Sequence, residues 1–310
     1  PTKVIYVLGP GRSGSGILGR TLSTIPGAAF VGELRRAWRI RPDRTCACGR
    51  PHADCPVWSK LLVPGSDLVG PARSEVARLQ DRVSPARLGW WTALRLRGLG
   101  GPPGAETPAG RYLEAYTRLH RAIAGATGAS LLIDSSKSAA DATLVALRAD
   151  VPTFLVQLIR DPRGVVSSLQ RHAGRRSWVA RRALAVRGAV RWAAKHLANE
   201  ALRRRVGPER SIAIRYEDLA RDPRGTVEAV AKLTGSAVPL TPLAPGVPIP
   251  APEVHGPEGS RRRRFEPAEI VLELDTRWHR ELDRLDRWLV TALTFPLLRR
   301  YGYPVRVPTR

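Results

Sequence analysis

The sequence predicts an α/β fold of three layers, in which a central parallel sheet is flanked by helices. Four short apolar runs, at 4–8, 131–133, 154–159 and 211–214, are typical of buried strands. Helix-forming or loop segments separate these runs, and strands that alternate with helices form parallel sheets. Ligands of such sheets bind outside the carboxyl ends of the strands. We therefore expect a single domain over residues 1–310, with a ligand site at that edge of the sheet.

The turn after the first run is rich in glycine and serine and is P-loop-like. Gly9 and Gly14 are five residues apart, as in a Walker A loop, but Ser15-Gly16 stands where an ATPase or kinase has Lys-Ser or Lys-Thr. A turn that leads into a helix presents backbone N–H groups at a positive helix end, and these groups bind phosphate. Arg12 is the cation of this turn. The turn therefore predicts an anionic nucleotide other than ATP.

A second phosphate site is predicted where the run at 154–159 ends. Arg160 follows this run, Pro162 suits the first turn of a helix, and Ser168 lies two turns into that helix. A guanidinium group and a hydroxyl that reach one point suit a dianionic monophosphate. Two phosphate sites at two strand ends imply a nucleotide that is phosphorylated at two places.

The Arg-Ser-Gly-Ser turn and the Arg-Asp-Pro-Arg-Gly segment resemble the 5′- and 3′-phosphate motifs of sulfotransferases that use 3′-phosphoadenosine 5′-phosphosulfate (PAPS), of the actinobacterial type. Further segments fit that family in order along nearly the whole chain: VGELRRAWR (31–39), LLIDSSKS (131–138), IRYEDLARDP (214–223), HGPEGSRRRRF (255–265), DTRWHREL (275–282) and YGYP (301–304). The chain departs from the family pattern at two places. Gly16 stands where relatives usually have Thr, and Gly259-Ser260-Arg261-Arg262-Arg263 replaces a Gly-Asn-x-x-Arg motif.

The resemblance implies transfer of a sulfuryl group from PAPS to a hydroxyl, with adenosine 3′,5′-bisphosphate (PAP) as product and no metal required. In-line displacement needs aligned reactants, a base for the acceptor hydroxyl and a cation for the leaving phosphate. Arg12 stands where relatives carry that cation. Glu33 is the candidate general base, because a carboxylate near the sulfate and partly shielded from water suits proton abstraction near neutral pH. A structural pairing of Glu33 with Arg35 or Arg36 is the alternative.

Asp134 and Lys137 follow the run at 131–133, where relatives have a substrate-side motif. Lys137 could hold the sulfuryl oxygens, while Asp134 could be an alternative base or a partner for Lys137. The segment LLID also resembles a Walker B strand, which places its aspartate on Mg²⁺. The rival function is therefore a Mg²⁺-dependent phosphotransferase (kinase) of the P-loop class, although its loop lysine is absent. A second rival is a non-catalytic binding protein for nucleic acid or an anionic surface.

The expected nucleotide-binding residues come from three parts of the chain. The 5′-phosphate is expected on the first turn, with backbone N–H groups and two hydroxyls supplied by Gly11, Arg12, Ser13, Gly14, Ser15 and Gly16. The 3′-phosphate is expected on Arg160 and Ser168, with Arg261, Arg262 and Arg263 closing from a late nucleotide-binding loop at 238–265. Tyr216 matches a residue near the adenine in relatives, and a core tyrosine with a bonded hydroxyl is the alternative.

The formal charge is +24, with 51 lysines and arginines against 27 acidic residues. The arginines are scattered and aromatic residues are only 6%, so solvated helix faces are favoured over a nucleic-acid role. Residues 174–206 form a basic amphipathic stretch that we expect to pack on the sheet, and a peripheral membrane contact stays open. No apolar run of the sequence reaches the length of a membrane span, and we expect a cytoplasmic protein.

Three cysteines lie close together in the sequence, with a histidine between them. Cys46, Cys48, His52 and Cys55 offer four zinc-ligand types in a C-x-C-x₃-H-x₂-C pattern. The spacing is shorter than in the usual zinc pairs. Zinc, a disulfide within the loop and free thiols are all open, and free thiols are favoured. We therefore expect no metal and less than one zinc per chain.

The acceptor is expected to be a small molecule with a hydroxyl: a carbohydrate, a lipid or a natural product. Residues 61–110 are rich in Gly, Pro, Ala and Arg, which is typical of an insertion or lid over a site. Trp90-Trp91 in this segment could cover an acceptor or pack against the domain. The sequence does not set the acceptor or the oligomeric state.

Overall fold

A five-stranded sheet forms the centre of the structure, a computed structural model that describes residues 2–84, 101–148, 150–174, 176–250, 252–257 and 269–306. Its strands are β1 (Lys3–Leu8), β2 (Ala28–Phe30), β3 (Leu131–Asp134), β4 (Thr153–Ile159) and β5 (Ser211–Arg215). Their order across the sheet is β2-β3-β1-β4-β5, and every pairing is parallel. The predicted α/β class with a central parallel sheet is therefore confirmed.

Helices flank this sheet. The α-helices are α1 (Ser15–Leu22), α2 (Gly70–Val83), α3 (Pro108–Thr127), α4 (Ala139–Leu147), α5 (Pro162–Ala173), α6 (Trp178–Val206), α7 (Tyr216–Arg221), α8 (Pro223–Thr234), α9 (Trp278–Glu281) and α10 (Arg284–Arg300). Short 3₁₀ helices cover Leu34–Arg39, His52–Asp54 and Trp58–Lys60, and β6 (Pro248–Pro250) pairs antiparallel with β7 (Glu269–Val271). Within the described residues, no helix is both long enough and apolar enough to cross a bilayer.

Strand β1 lies between β3 and β4, and its side chains alternate between two hydrophobic cores. Tyr6 belongs to the core that contains Tyr116 of α3, whereas Val7 belongs to the core that contains Leu18 of α1. All four side chains are fully buried. This alternation is the period of two that a strand imposes, and a parallel sheet needs both faces covered. Because both faces of the sheet are covered, a ligand site is expected in the loops at the ends of the strands.

The four predicted apolar runs each lie within one of the strands β1, β3, β4 and β5. Helix α6 lies inside the predicted helical stretch at 174–206 and packs against α5 and β4, as expected for a helix that covers the sheet. The expected lid at 61–110 contains α2 and stays a prediction. Trp90 and Trp91 lie outside the described residues, as do Arg261, Arg262 and Arg263.

Candidate active site

The site residues expected from the sequence gather at one edge of the sheet. Every expected site residue that the structure describes lies at or just after the carboxyl end of a strand. Gly11–Gly16 follow β1, Glu33 follows β2 and Tyr216 follows β5. Asp134 is the last residue of β3 and Lys137 lies three residues later, while Arg160 follows β4 and Ser168 lies on the next helix. Parallel strands share this edge, which is where α/β sheets bind ligands. Five separate chain segments therefore contribute to one place.

The turn after β1 has the backbone of a phosphate-binding loop. Gly9 and Gly14 have positive φ angles of 147° and 92°, which glycine adopts without strain. Gly14 is the N-cap of α1, and no side chain of the described residues caps that helix end, which leaves its first amides suited to an anion. The Ser13 hydroxyl is buried and has no hydrogen-bond partner among the described residues. A buried hydroxyl of this kind needs a partner, and a phosphate oxygen would supply one.

Arg12 and Lys137 share an unusual backbone conformation. In the described part of the chain they are the non-glycine residues with positive φ, at 73° and 61°. Such conformations are costly in residues with a Cβ and cluster at functional sites. Both residues were expected to be catalytic from the sequence, and that role stays a prediction.

Lys137 connects the turn after β3 with the turns after β1 and β2. Its Nζ donates to Glu33 Oε1 at 2.6 Å and lies 3.3 Å from the Ser15 hydroxyl. It also donates to the carbonyl of Ser135 at 2.8 Å, which fixes the ammonium group over its own turn. Ser15 occupies the position of the Walker A lysine. The structure therefore brings an ammonium group to that position from β3 instead of from the loop.

The Glu33 carboxylate lies between two cations and is mostly buried. Oε1 accepts from Lys137, and Oε2 accepts from Arg36 Nε at 2.9 Å. Its side chain is 17% exposed, and that of Arg36 is 55% exposed. The Arg36 contact is a surface pair of small energetic value, whereas the Lys137 contact is shielded from solvent. Both the expected role as a base and the expected pairing with Arg36 are compatible with this geometry.

Asp134 is enclosed by protein groups. Its Oδ2 accepts from the Tyr116 hydroxyl at 2.7 Å, and its Oδ1 accepts from the Ser136 backbone N–H at 2.9 Å and from the Ser136 hydroxyl. The His120 ring nitrogen Nε2 lies 3.5 Å from Oδ2, and burial lowers the pKa of His120, which keeps that ring neutral. The Asp134 side chain is fully buried. Its contacts shape the turn that precedes Lys137.

The two expected phosphate sites are joined in the structure. Arg160 Nη1 donates to the carbonyl of Arg12 at 2.9 Å, and Arg12 Nε donates to the Ser168 hydroxyl at 3.0 Å. The Arg160 guanidinium also lies 4.6 Å from the centre of the Tyr216 ring. The Tyr216 hydroxyl donates to the carbonyl of Glu273 at 3.1 Å. Arg12, Ser168 and Arg160 therefore form a continuous polar group between β1 and β4.

Asp275 completes this group, although the sequence assigned no role to it. Its Oδ2 accepts from Arg160 Nη2 at 2.9 Å and lies 3.5 Å from Arg171, while its Oδ1 accepts from Arg277 at 2.8 Å. The hydrogen bonds from Arg277 and Arg160 hold the pKa of Asp275 well below its usual range. An anion that binds Arg160 would compete with this carboxylate. The only signal in the sequence is that Asp275 opens the DTRWHREL segment.

The N-terminus of α5, the helix after β4, is stabilised by the residues with which it begins. The Asp161 side chain caps α5 by accepting from the Arg163 backbone N–H at 2.9 Å, and Pro162 occupies the first helical turn. The Arg163 guanidinium donates to both oxygens of Asp161 and lies 4.6 Å from the centre of the Trp278 ring. The second arginine of the Arg-Asp-Pro-Arg-Gly segment is thus structural, and Arg160 is the one directed to the site.

Lys195 is a site residue that the sequence analysis missed. It lies on α6, and its Nζ donates to the carbonyl of Lys137 at 3.4 Å. Burial, followed by the positive charges of Lys137, Arg191 and Arg35, lowers the pKa of Lys195 to about 8. No motif marks this position, because only the packing of α6 across the sheet brings it to Lys137 and Glu33.

Residues 102–239 match the model of the Sulfotransferase family. This segment contains Asp134, Lys137, Arg160, Ser168 and Tyr216, and the turn after β1 lies outside it. The match confirms the resemblance to sulfotransferases that the motifs predict. No curated protein sequence matches the chain.

The chain is also similar to solved structures that are named as sulfotransferases. The sulfotransferase domain from the olefin synthase of Synechococcus PCC 7002 is 21% identical, with 76% of this chain and 73% of that one covered and a TM-score of 0.41. The sulfotransferase domain from the curacin biosynthetic pathway is 16% identical, with 99% of each chain covered and a TM-score of 0.49. Sulfotransferase STF9 from Mycobacterium avium is 16% identical, with 98% of this chain and 78% of that one covered and a TM-score of 0.49.

Proposed function

We propose that this protein is a PAPS-dependent sulfotransferase that moves a sulfuryl group to a hydroxyl of a small-molecule acceptor. The observation that carries the proposal is the continuous group formed by Arg12, Ser168 and Arg160. The Lys137–Glu33 pair reaches the same turn, because Lys137 lies 3.3 Å from the Ser15 hydroxyl. The first three residues are suited to a nucleotide with two separate phosphates. The pair is suited to the reacting end of the donor.

The donor site is supported by features that need an anion. Among the described residues, the buried Ser13 hydroxyl has no hydrogen-bond partner and the N-terminus of α1 has no side-chain cap. Residues Gly11–Gly16 would hold the 5′-phosphate through backbone N–H groups and the Ser13 and Ser15 hydroxyls. Arg160 and Ser168 would hold the 3′-phosphate, with Arg160 exchanging its contact with Asp275 for the phosphate. Tyr216, which stacks on Arg160, would lie near the adenine.

The bound donor supplies an activated sulfuryl group, and transfer forms an O–S bond to the acceptor as the S–O bond to the nucleotide phosphate breaks. Glu33 takes the proton of the acceptor hydroxyl at its carboxylate. Arg12 neutralises the charge that grows on the leaving phosphate, and Lys137 orients the sulfuryl oxygens. Since Lys137 contacts both Ser15 of the loop and Glu33, it would keep the bound donor and the Glu33 carboxylate at a fixed position relative to each other.

Asp134 is better suited to positioning than to proton transfer or Mg²⁺ binding. Both of its carboxylate oxygens accept hydrogen bonds from Tyr116 or Ser136, and its side chain is fully buried. A base or a metal ligand would need one oxygen directed at the turn after β1. The chain also has no lysine in that turn. The rival function, a Mg²⁺-dependent phosphotransferase, is therefore supported less well, because its loop lysine is absent and both Asp134 oxygens already accept hydrogen bonds from protein groups.

Formation of PAP from PAPS in the presence of a panel of small hydroxyl compounds tests this proposal. We expect PAP to form without added Mg²⁺, and the Arg12→Ala variant to lose this activity. Arg224→Ala is the matched control, because Arg224 is an exposed arginine on α8 that pairs with Glu228. Transfer of phosphate from Mg·ATP to a compound of the same panel, with no reaction of PAPS, would contradict the proposal.

A further inference from the structure

The three cysteines of the chain meet a histidine that is about two hundred positions away in the sequence. Cys46, Cys48, Cys55 and His255 each direct one ligand atom to a common point, and these four atoms lie within 4.8 Å of one another. All three cysteines are free thiols. In a tetrahedral zinc site with Zn–S bonds of about 2.3 Å, neighbouring sulfur atoms are about 3.8 Å apart. The four side chains therefore need only small movements to close around one ion.

We propose that Cys46, Cys48, Cys55 and His255 bind one Zn²⁺ in a closed structural site. Three thiolates and one imidazole form a common ligand set of structural zinc and are poor ligands for Mg²⁺ or Ca²⁺. With four protein ligands, no coordination position stays open for water or substrate. The inference is independent of the proposed sulfuryl transfer, because it assigns no catalytic role to the metal.

The backbone around the first two cysteines forms the turn that such a site requires. Cys46 donates its backbone N–H to the carbonyl of Arg50 at 2.8 Å, and Gly49 donates to the carbonyl of Cys46 at 3.0 Å. Gly49 has a φ of 87°, which closes the turn in the left-handed region. The turn folds back tightly enough for the Cys46 and Cys48 thiols to reach one point. Cys46 is fully buried, as is Cys55, so these thiols are shielded from solvent.

His255 is held on the cluster from both sides of its ring. Its Nδ1 lies 3.4 Å from the Cys55 sulfur, and its Nε2 lies 3.6 Å from the Glu253 carboxylate. A metal-bound histidine commonly directs its second ring nitrogen to a carboxylate, which fixes the tautomer and the ring orientation. The Trp58 indole N–H also donates to the His255 carbonyl at 3.0 Å. These contacts orient the His255 ring so that its Nδ1 faces the thiols.

His52, the histidine within the cysteine segment, belongs elsewhere. Its Nδ1 lies 3.1 Å from the carbonyl of Arg41, and its ring packs edge-on against Trp58 with 6.0 Å between ring centres. The C-x-C-x₃-H-x₂-C set that the sequence leaves open as one alternative therefore differs from the proposed site in its histidine. Our proposal also replaces the sequence-based expectation of free thiols and no metal. The sequence could not show this, because the missing ligand comes from a distant segment.

The site would fix a late segment of the chain against the turn that carries Glu33. Ala47 donates its N–H to the carbonyl of Gly256 at 3.3 Å, and the Cys46 sulfur lies 3.5 Å from the same oxygen. Gly256 in turn touches Gly32, where an added Cβ would meet the Gly256 Cα at 3.2 Å. Gly32 directly precedes Glu33. The metal would therefore join residues 46–55 to residues 253–256 beside the candidate base.

Metal content of the purified full-length chain gives the direct test. Elemental analysis should find about one zinc per chain after expression with added zinc. Modification of the thiols with a mercurial should release that zinc in proportion. Replacement by Co²⁺ should give thiolate-to-cobalt charge transfer in the near ultraviolet and the strong visible bands of a tetrahedral site. Folded protein with far less than one zinc, or with a Cys46–Cys55 disulfide by mass spectrometry, would overturn the proposal.

Two histidine variants identify the fourth ligand. His255→Ala should weaken zinc binding about a hundredfold or more in a chelator competition, because loss of even an outer-shell partner costs 10- to 100-fold. His255→Cys supplies a thiolate in its place and should restore stoichiometric zinc. His52→Ala is the matched control and should keep its zinc while its circular dichroism stays native. Zinc loss in folded His52→Ala with retention in His255→Ala would show that the assigned ligand set is wrong. If either alanine variant does not fold, the cobalt spectrum of the wild-type chain and the His255→Cys variant decide the matter.

Discussion

Lys137 donates a hydrogen bond from Nζ to Oε1 of Glu33 at 2.6 Å, in a pair that is mostly buried. The two residues follow neighbouring parallel strands, β3 and β2. Their contact gives the carboxylate a fixed orientation. The Lys137 side chain also connects the carboxylate to the turn after β1, since its Nζ lies 3.3 Å from the Ser15 hydroxyl. A carboxylate and an ammonium group are thereby held together at one point of the candidate site.

Glu33→Gln tests the carboxylate as a base. The amide keeps an oxygen that can accept from Lys137 but takes up no proton, so turnover should fall by about a hundredfold or more. The affinity for PAP, measured by calorimetry, should stay within about threefold, because the phosphate-binding residues are untouched. Glu228→Gln changes an exposed carboxylate on α8 and serves as the control. Near-normal turnover of Glu33→Gln would remove this residue from the proton transfer.

Arg160→Ala tests the assignment of the 3′-phosphate. A guanidinium-phosphate hydrogen bond is charge-assisted, so its loss should weaken PAP binding by about 10- to 100-fold. Binding of adenosine 5′-phosphate, which lacks the 3′-phosphate, should change by less than about threefold. Ser168→Ala removes a neutral donor to the same phosphate and should show the same selectivity with a smaller loss. Equal losses for both nucleotides would refute the assignment.

Gly14→Ala and Gly11→Ala form a matched pair for the geometry of the first turn. Gly14 has a φ of 92°, and an added Cβ would lie 2.7 Å from the Tyr216 ring, so alanine should displace the loop and reduce PAP binding at least about tenfold. A Cβ added at Gly11 would have no atom within 4 Å, and alanine there should be tolerated because the expected contact is made by the backbone N–H. Comparable PAP binding by the two variants would mean that the loop does not hold the phosphate.

The lowered pKa of Lys195 leads us to expect that donor binding depends on pH. Its pKa is lowered to about 8, so the side chain loses its positive charge as the pH rises through that value. Loss of a cation beside Lys137 weakens attraction for an anion, and PAP affinity should fall by up to about tenfold between pH 7.5 and 9. Calorimetric titrations across this range measure the effect. In Lys195→Arg, which stays charged, the decline should disappear, and an unchanged profile would assign it to another group.

The sequence predicted the parts of the fold and site that are local. The apolar runs that became β1, β3, β4 and β5 are continuous, and the residues that follow them carry their chemistry in short motifs. Strand β2 was missed because it has only three residues, Ala28–Phe30, of which two are alanines. Its position at the sheet edge is nevertheless what brings Glu33 next to Lys137.

Contacts between distant segments were beyond what the sequence could predict. The approach of Lys195 to Lys137 depends on how α6 crosses the sheet, and the pairing of Asp275 with Arg160 depends on a turn formed 115 residues later. His255 reaches Cys55 across 200 positions. In each case the residue types were visible in the sequence, but tertiary packing alone decides which of many similar side chains meet.

The central claim, a site for a nucleotide with both 5′- and 3′-phosphates, is tested most directly by a thermal-unfolding titration with PAP beside ADP and Mg·ATP. A ligand that binds the folded but not the unfolded chain raises the free energy of unfolding by about 2.7 kcal/mol when its concentration is a hundred times its Kd. The account predicts a rise of the unfolding temperature with PAP, without added Mg²⁺, and little change with the other two nucleotides. Stabilisation by Mg·ATP and not by PAP would contradict it, and would make the turn after β1 a nucleoside-triphosphate loop.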